Sequence, residues 1–212
     1  MSRQDRFERR KIINKKPLKR LIVIVCCQTE AGYFEVFNRA DRDFTIEIYK
    51  EKQRTDPENI YKRAVSIKAE IEKDIAAPED YEVWGVIDKD NFTTYDSIIS
   101  RNEDNIFIAY SNPCFEVWYH MHFPYSHAGF ENAGKCCSAL KSKLGVKYDK
   151  SEDFDIWGCL ENSLKKPADT MISEAIDNAK KLQAYHKSNN TGKKPSQLNP
   201  DTNIHELVDK IK

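Results

Sequence analysis

The stretch LIVIVCCQTEAGYF, residues 21–34, sets the architecture that the chain is expected to adopt. Its apolar run is typical of a central strand that is covered on both faces, as strands of parallel sheets are. Two cysteines and three polar residues follow, and a helix with an aromatic face is predicted over residues 30–41. Because parallel sheets bind ligands at the carboxyl ends of their strands, this turn is a place to look for a thiol or a metal ligand.

Predicted strands alternate with predicted helices along the rest of the chain. After the first strand at residues 20–27, strands are expected at 44–50, 81–88 and 105–111. Helices are expected at about 30–41, 57–75, 94–100, 112–123, 131–144 and 167–187, with a helical turn within 151–162 and a last amphipathic helix capped by Asp201 or Thr202. This alternation favours an α/β fold with a parallel-rich, doubly wound sheet flanked by helices.

Charge is distributed unevenly. Lys+Arg and Asp+Glu balance at 34 each, so the overall charge indicates no partner, but residues 1–20 carry nine basic residues against two acidic ones. This arm is expected to bind the phosphates of a nucleic acid, through Arg9, Arg10, Lys11, Lys15 and Lys16; a solvated tail is the alternative. We divide the chain into a basic arm at 1–20, an α/β domain at 21–165 and a helical C-terminal extension at 166–212 packed on the same domain.

The sequence also predicts the compartment and the state of the cysteines. No stretch approaches the roughly 20 apolar residues that a membrane span needs, and no apolar segment of a signal peptide precedes Leu21. A cytoplasmic location and six free thiols are therefore expected. The cysteines lack the CxxC spacing of a zinc site, and Cys26 and Cys27 point to opposite faces of a strand. Buried packing thiols are the expected outcome.

The segment VWGVIDKDN, residues 83–91, is the strongest single chemical signal. A buried strand ends in Asp88-Lys89-Asp90, and strand alternation predicts that both carboxylates lie on one side at the ligand-binding edge. Two hard oxygen donors suit Mg²⁺ or Mn²⁺. The alternative is a solvated strand end with turn-forming aspartates.

Two further carboxylates could complete such a site. Glu30 follows the first strand, where it is either a third metal ligand or a partner of the helix dipole. Glu116 lies in a helix predicted to begin at Asn112-Pro113, on one face with His120. It is either a ligand or base, or a partly buried structural glutamate, and His120 is expected to be a satisfied surface or interface histidine. Neither a glycine-rich phosphate loop nor a GxSxG motif is present.

Five motifs occur in a recognisable order and cover most of the chain. They are the arginine-rich start before LIVIVC, then TEAGYF, VWGVIDKDN, YSNPCFEVWYHMHF and NPDTNIHELVDKI. On these motifs the chain resembles the RloB family, which is related to the Toprim fold. The most specific match is to the family's Ser-Asn-Pro-x-Phe-Glu-x-Trp signature.

The resemblance implies a Toprim-like domain that cleaves DNA or tRNA as an anti-phage defence effector. It implies Mg²⁺ or Mn²⁺ held by Asp88 and Asp90, with Glu116 as a contributor, and a partner ATPase of the ABC type. One departure matters: the family's first strand usually ends in Cys-Glu-Gly, whereas VCCQTE has neither that Glu nor the Gly. Either Glu30 replaces the missing acid, or the metal site is weakened, or catalysis is lost and the chain binds a partner ATPase or nucleic acid.

Overall fold

The computed structural model describes residues 21–38, 44–53, 55–74, 77, 79–148 and 154–212. The basic arm, with the five residues assigned to nucleic acid, lies outside these residues. The strands are β1 (Leu21–Cys27), β2 (Thr45–Glu51), β3 (Tyr81–Asp88), β4 (Ile106–Asn112) and β5 (Asp201–Thr202). The helices are α1 (Gln28–Glu35), α2 (Pro57–Ile71), α3 (Tyr95–Ile99), α4 (Glu116–Met121), α5 (Ala133–Leu144), α6 (Ile156–Leu164), α7 (Ala168–Asn189) and α8 (Ile204–Ile211), with a 3₁₀ turn at Pro195–Gln197.

The strands form one sheet in the order β2-β1-β3-β4-β5. The first four are parallel, as the alternation of strands and helices predicts, and β5 pairs antiparallel with β4. This pairing sets Thr202 opposite Ser111 and Asp201 opposite Asn112. The α/β class with a parallel-rich sheet flanked by helices is therefore confirmed.

Both faces of the sheet are covered, which explains the unbroken apolar runs of the central strands. Alternate residues of β1 point to opposite faces. Ile22 and Ile24 pack in one hydrophobic cluster with residues of α1, α4, α5, α6, α7 and α8. Leu21 and Val23 pack in a second cluster, with residues of α2 and α3. The sheet thus lies between two layers of helices, and no helix of the described residues is both long and apolar enough to cross a membrane.

Several predicted boundaries need correction. Helix α1 ends at Glu35, before the predicted limit of residue 41. Asn112 is the last residue of β4 and is joined to Pro113 by a cis peptide bond, so the helix does not begin there but at Glu116. Asp201 and Thr202 form β5 and Asn203 occupies the cap position of the last helix, although the Thr202 hydroxyl accepts a hydrogen bond from the amide of Ile204, the first residue of that helix, at 3.2 Å.

Candidate functional site

The strand order places a topological switch point between β1 and β3. The chain leaves β1 toward β2 on one side of the sheet and reaches β3 on the other. In open α/β sheets, ligands bind in the crevice outside the carboxyl ends of the two strands where the order reverses. Glu30 follows β1 and Asp88 is the last residue of β3, so both lie at this edge.

The turn after β3 is held by main-chain hydrogen bonds. The amide of Lys89 donates to the Ser111 carbonyl and that of Asp90 to the Pro113 carbonyl, both at 2.9 Å. Asp90 has a φ of 33°, in the left-handed region that aspartate tolerates better than most residues. Strand β3 ends at Asp88, so strand alternation does not extend to Asp90 and does not itself place both carboxylates on one side.

A polar cleft of about 330 Å³ opens beside this turn. Side chains from β4, α5 and the segment before β5 surround it together with the turn. Its lining residues are Lys89, Asp90, Asn91, Asn112, Pro113, Glu131, Asn132, Ala133, Gly134, Ser196 and Asn199. The Asn112 side chain ties two of these walls together, because its amide donates to the carbonyls of Pro195 (3.0 Å) and Leu198 (2.6 Å).

The cleft combines groups of both charges. Helix α5 begins at its wall, with the Asn132 side chain accepting from the Lys135 amide at 3.0 Å. The first turn of this helix contains no acidic residue, so its positive dipole end faces the cleft. Lys89 adds a positive charge, and Asp90 and Glu131 add carboxylates. This arrangement suits a phosphate accompanied by a cation.

Glu30 lies at the neighbouring strand end in a buried position. Its side chain is only 3% exposed and accepts a hydrogen bond from the Cys27 amide at 2.9 Å. The carboxylate therefore caps the helix to which it belongs, in agreement with the structural alternative considered for it. One carboxylate can cap a helix and bind an ion, since each of its oxygens offers two lone pairs.

Glu116 is buried at the first position of α4 and faces thiols. The Tyr148 hydroxyl donates to its Oε1 at 2.8 Å. Its carboxylate lies near Cys114 and Cys137, with the ligand atoms of the three residues all within 4.8 Å of one another. Across the described ranges, this is the one set of three or more His, Cys, Asp or Glu side chains whose ligand atoms lie close enough together to share an ion. No three of Glu30, Asp88, Asp90 and Glu116 lie that close together.

Two histidines of the same helix region are buried and neutral. Burial lowers the pKa of His120 to about 4, and its Nε2 donates to the Cys136 carbonyl at 3.1 Å. Burial also lowers the pKa of His122 to about 4. The prediction of a surface or interface position for His120 was wrong, since it is only 4% exposed, and the expectation that it is satisfied holds only for Nε2, because the buried Nδ1 has no hydrogen-bond partner among the described residues. Core packing for His122 is confirmed.

The chemistry of the residues at the end of β3 fits a hard divalent cation. Asp88 is half-buried and Asp90 is exposed in the cleft, so at least one carboxylate can meet a solvated ion. Mg²⁺ typically keeps several waters and is bound by one or two carboxylates together with substrate phosphates. Three pre-assembled carboxylates are therefore not required.

The comparison with protein-family models identifies the chain. A model described as RloB-like protein matches residues 21–211, nearly the whole sequence. The chain belongs to the RloB-like family. No curated protein and no solved structure matched it.

In this RloB-like chain, the family-specific SNPCFE segment forms the corner between β4 and α4. Its Asn112 and Pro113 line the cleft, and its Glu116 points into the thiol group. Sequence reasoning did not predict that Ser196 and Asn199 line the cleft. They belong to a loop more than eighty residues after Asn112 in the sequence. The only signal for that loop was its polar, proline-containing sequence.

Proposed function

We propose that this RloB-like protein is a Mg²⁺-dependent nuclease that cleaves phosphodiester bonds of DNA or tRNA as an anti-phage defence effector in the cytoplasm. The observation that carries the proposal is the polar cleft beside the Asp88-Lys89-Asp90 turn. It lies at the carboxyl ends of β3 and β4, with β3 bordering the switch point on its other side, and combines carboxylates with cationic and helix-dipole groups. Family membership agrees with this proposal but does not itself establish cleavage.

In this mechanism Asp88 and Asp90 hold the cation, and Glu30 or Glu116 completes the set or accepts a proton from water. Held there, Mg²⁺ or Mn²⁺ would supply Lewis-acid chemistry at the scissile phosphate and at a water molecule. Lys89 and the amino end of α5 bind the phosphate, because each favours negative charge. The basic arm holds the nucleic-acid backbone, through Arg9, Arg10, Lys11, Lys15 and Lys16.

Cleavage of tRNA and of plasmid DNA tests this proposal directly. The full chain is incubated with each substrate in Mn²⁺ or Mg²⁺, and with a chelator as the blank. Cleavage should occur only with the ion and should be abolished in Asp88→Asn. Asp104→Asn is the matched control, because Asp104 is exposed just before β4, at the opposite edge of the sheet. Cleavage that is unchanged in Asp88→Asn would overturn the mechanism.

A second function is favoured by one observation, the hydrogen bond from the Cys27 amide to Glu30. If this cap is the whole role of Glu30, the missing acid of the first strand has no replacement. The chain is then a catalytically inactive module that binds nucleic acid or a partner ATPase of the ABC type. This alternative predicts that defence survives Asp88→Asn but fails when residues 1–20 are deleted, whereas the nuclease should lose defence with either change, so Asp88→Asn separates the two functions.

A further inference from the structure

A group of sulfur and oxygen ligands lies behind the polar cleft. Cys114 belongs to the turn between β4 and α4, and Glu116 is the first residue of α4. Cys137 comes from the second turn of α5, which packs against α4. The thiol sulfurs of the two cysteines and a carboxylate oxygen of Glu116 all lie within 4.8 Å of one another. Two segments of the chain about twenty residues apart thus bring together three possible ligands of a transition metal, two thiols and one carboxylate.

The distances are close to those of a tetrahedral zinc site. Zinc–sulfur bonds of about 2.3 Å and zinc–oxygen bonds of about 2.0–2.2 Å place neighbouring ligand atoms roughly 3.6–3.8 Å apart. The group therefore has to contract by about 1 Å or less to enclose an ion, which side-chain rotations can supply. Thiolates are soft ligands that select zinc over magnesium or calcium, so the site differs in kind from the carboxylates at the end of β3.

The residues around the group orient one of its ligands and leave another open to solvent. Cys114 and Glu116 are buried, whereas Cys137 is half-buried and gives the ion and a fourth, water ligand a route from solvent. The Tyr148 hydroxyl donates to Glu116 Oε1 at 2.8 Å, which orients the carboxylate as groups around metal ligands commonly do. A divalent cation would also offset the cost of burying this carboxylate.

We propose that Cys114, Glu116 and Cys137 form a binding site for a thiophilic divalent cation, with Zn²⁺ as the expected ion. Zinc at this position joins α4 to α5, and α5 forms a wall of the cleft through Ala133 and Gly134. The inference does not rest on the proposed nuclease function. It makes Glu116 a ligand of the zinc ion, so Glu30 becomes the candidate third ligand for the Mg²⁺ site proposed at Asp88 and Asp90.

Titration with Cd²⁺, a spectroscopic substitute for zinc, tests the site in the full chain without nucleic acid. The protein is stripped with a chelator and kept reduced with a phosphine, and thiolate-to-cadmium absorption is followed. One Cd²⁺ per chain should bind, and the affinity should fall at least tenfold in Cys137→Ser and in Glu116→Gln. Cys159→Ser is the matched control, because Cys159 is half-buried like Cys137 but lies on α6 outside the group.

The coordination shell provides the second measurement. X-ray absorption of the Zn²⁺-loaded protein should report two sulfur ligands in the wild type and one or none in Cys137→Ser. Circular dichroism establishes that each variant is folded, and Cys137→Ser is the variant of choice because its side chain is half-buried. Failure of the wild type to bind either ion would overturn the proposal. So would equal binding by Cys137→Ser, or equal loss of binding in Cys159→Ser.

Discussion

The Cys27 amide donates a hydrogen bond to the Glu30 carboxylate at 2.9 Å, and this contact fixes the acid that follows the first strand. A glutamine at position 30 can accept the same hydrogen bond but carries no charge. A cap therefore tolerates Glu30→Gln, whereas a metal ligand does not. The two roles of Glu30 can be separated by measuring stability and cleavage on the same variants.

We expect the free energy of unfolding of Glu30→Gln to lie within about 0.5 kcal/mol of the wild-type value. Its rate of metal-dependent cleavage should fall about 10–100-fold. Glu30→Ala should lose the cap as well, at a cost of about 0.5–2 kcal/mol. Thermal unfolding and the cleavage assay measure the two effects. Full cleavage by Glu30→Gln would assign Glu30 to the cap alone.

The Asn112 side chain should stabilise the cleft measurably. Asn112→Ala removes two hydrogen bonds and leaves the carbonyls of Pro195 and Leu198 without this donor. We expect a loss of about 1–3 kcal/mol, with the melting temperature falling by about 2–4 °C per kcal/mol. Asn91→Ala is the control, since Asn91 lines the same cleft but is exposed. Equal melting temperatures for the two variants would show that the contact contributes nothing.

His122 should make stability depend on pH. The Tyr33 hydroxyl donates to its Nε2 and its Nδ1 donates to the Trp118 carbonyl, each at 3.2 Å, so the folded protein holds a neutral ring. Burial lowers the pKa of His122 to about 4, below its usual value, so the unfolded chain binds the proton more tightly. Stability is therefore complete above about pH 6.5 and is lost as the pH falls toward 4, by about 2 kcal/mol at pH 5.

Denaturant unfolding at pH 7 and pH 5 measures this effect. His122→Phe should lose less stability between the two pH values than the wild type, whereas His127→Phe, at an exposed position, should match the wild type. Asp201 acts in the opposite direction. Burial raises its pKa to about 6, so the folded protein binds this proton more tightly than the unfolded chain and gains stability as the pH falls. Asp201→Asn should therefore steepen the loss. Identical pH profiles for the wild type and His122→Phe would contradict the assignment.

The basic arm should set the salt dependence of nucleic-acid binding. Each phosphate contact that is lost lowers the slope of log affinity against log salt by about 0.7–0.9. Replacing all five assigned residues by glutamine should reduce the slope by about 4, the five being Arg9, Arg10, Lys11, Lys15 and Lys16. Glutamine at exposed lysines of α7 is the comparison. A slope that does not change would indicate that the arm is only a solvated tail.

The central sheet can be predicted from the sequence because short local patterns mark its strands. The apolar runs at residues 21–25 and 83–87 and the proline at position 57 mark strands and a helix start without reference to the rest of the chain. Strand β5 has only two residues and exists through its pairing with Ser111 and Asn112. A segment of that length has no periodicity to detect, so its two residues were predicted only as candidate helix caps and the strand was missed.

The candidate site is predictable only where it follows strand ends. Asp88 and Glu30 could be found because parallel strands deliver their last residues to one edge. The left-handed conformation of Asp90 and the cis peptide before Pro113 depend on tertiary contacts that no local pattern reports. The approach of Cys137 to Glu116 depends on how α5 packs against α4. The spacing of the cysteines in the sequence does not predict this contact.

The anchoring of Asn112 by Pro195 and Leu198 has a consequence for synthesis on the ribosome. The carboxylate-bearing turn is translated more than one hundred residues before β5, and domains fold as units once their parts have emerged. The cleft therefore cannot close until residue 202 is outside the exit tunnel. Under the proposed function, a nascent chain would carry Asp88 and Asp90 without a pocket to use them, which would keep the proposed nuclease harmless toward the message and the tRNAs around it.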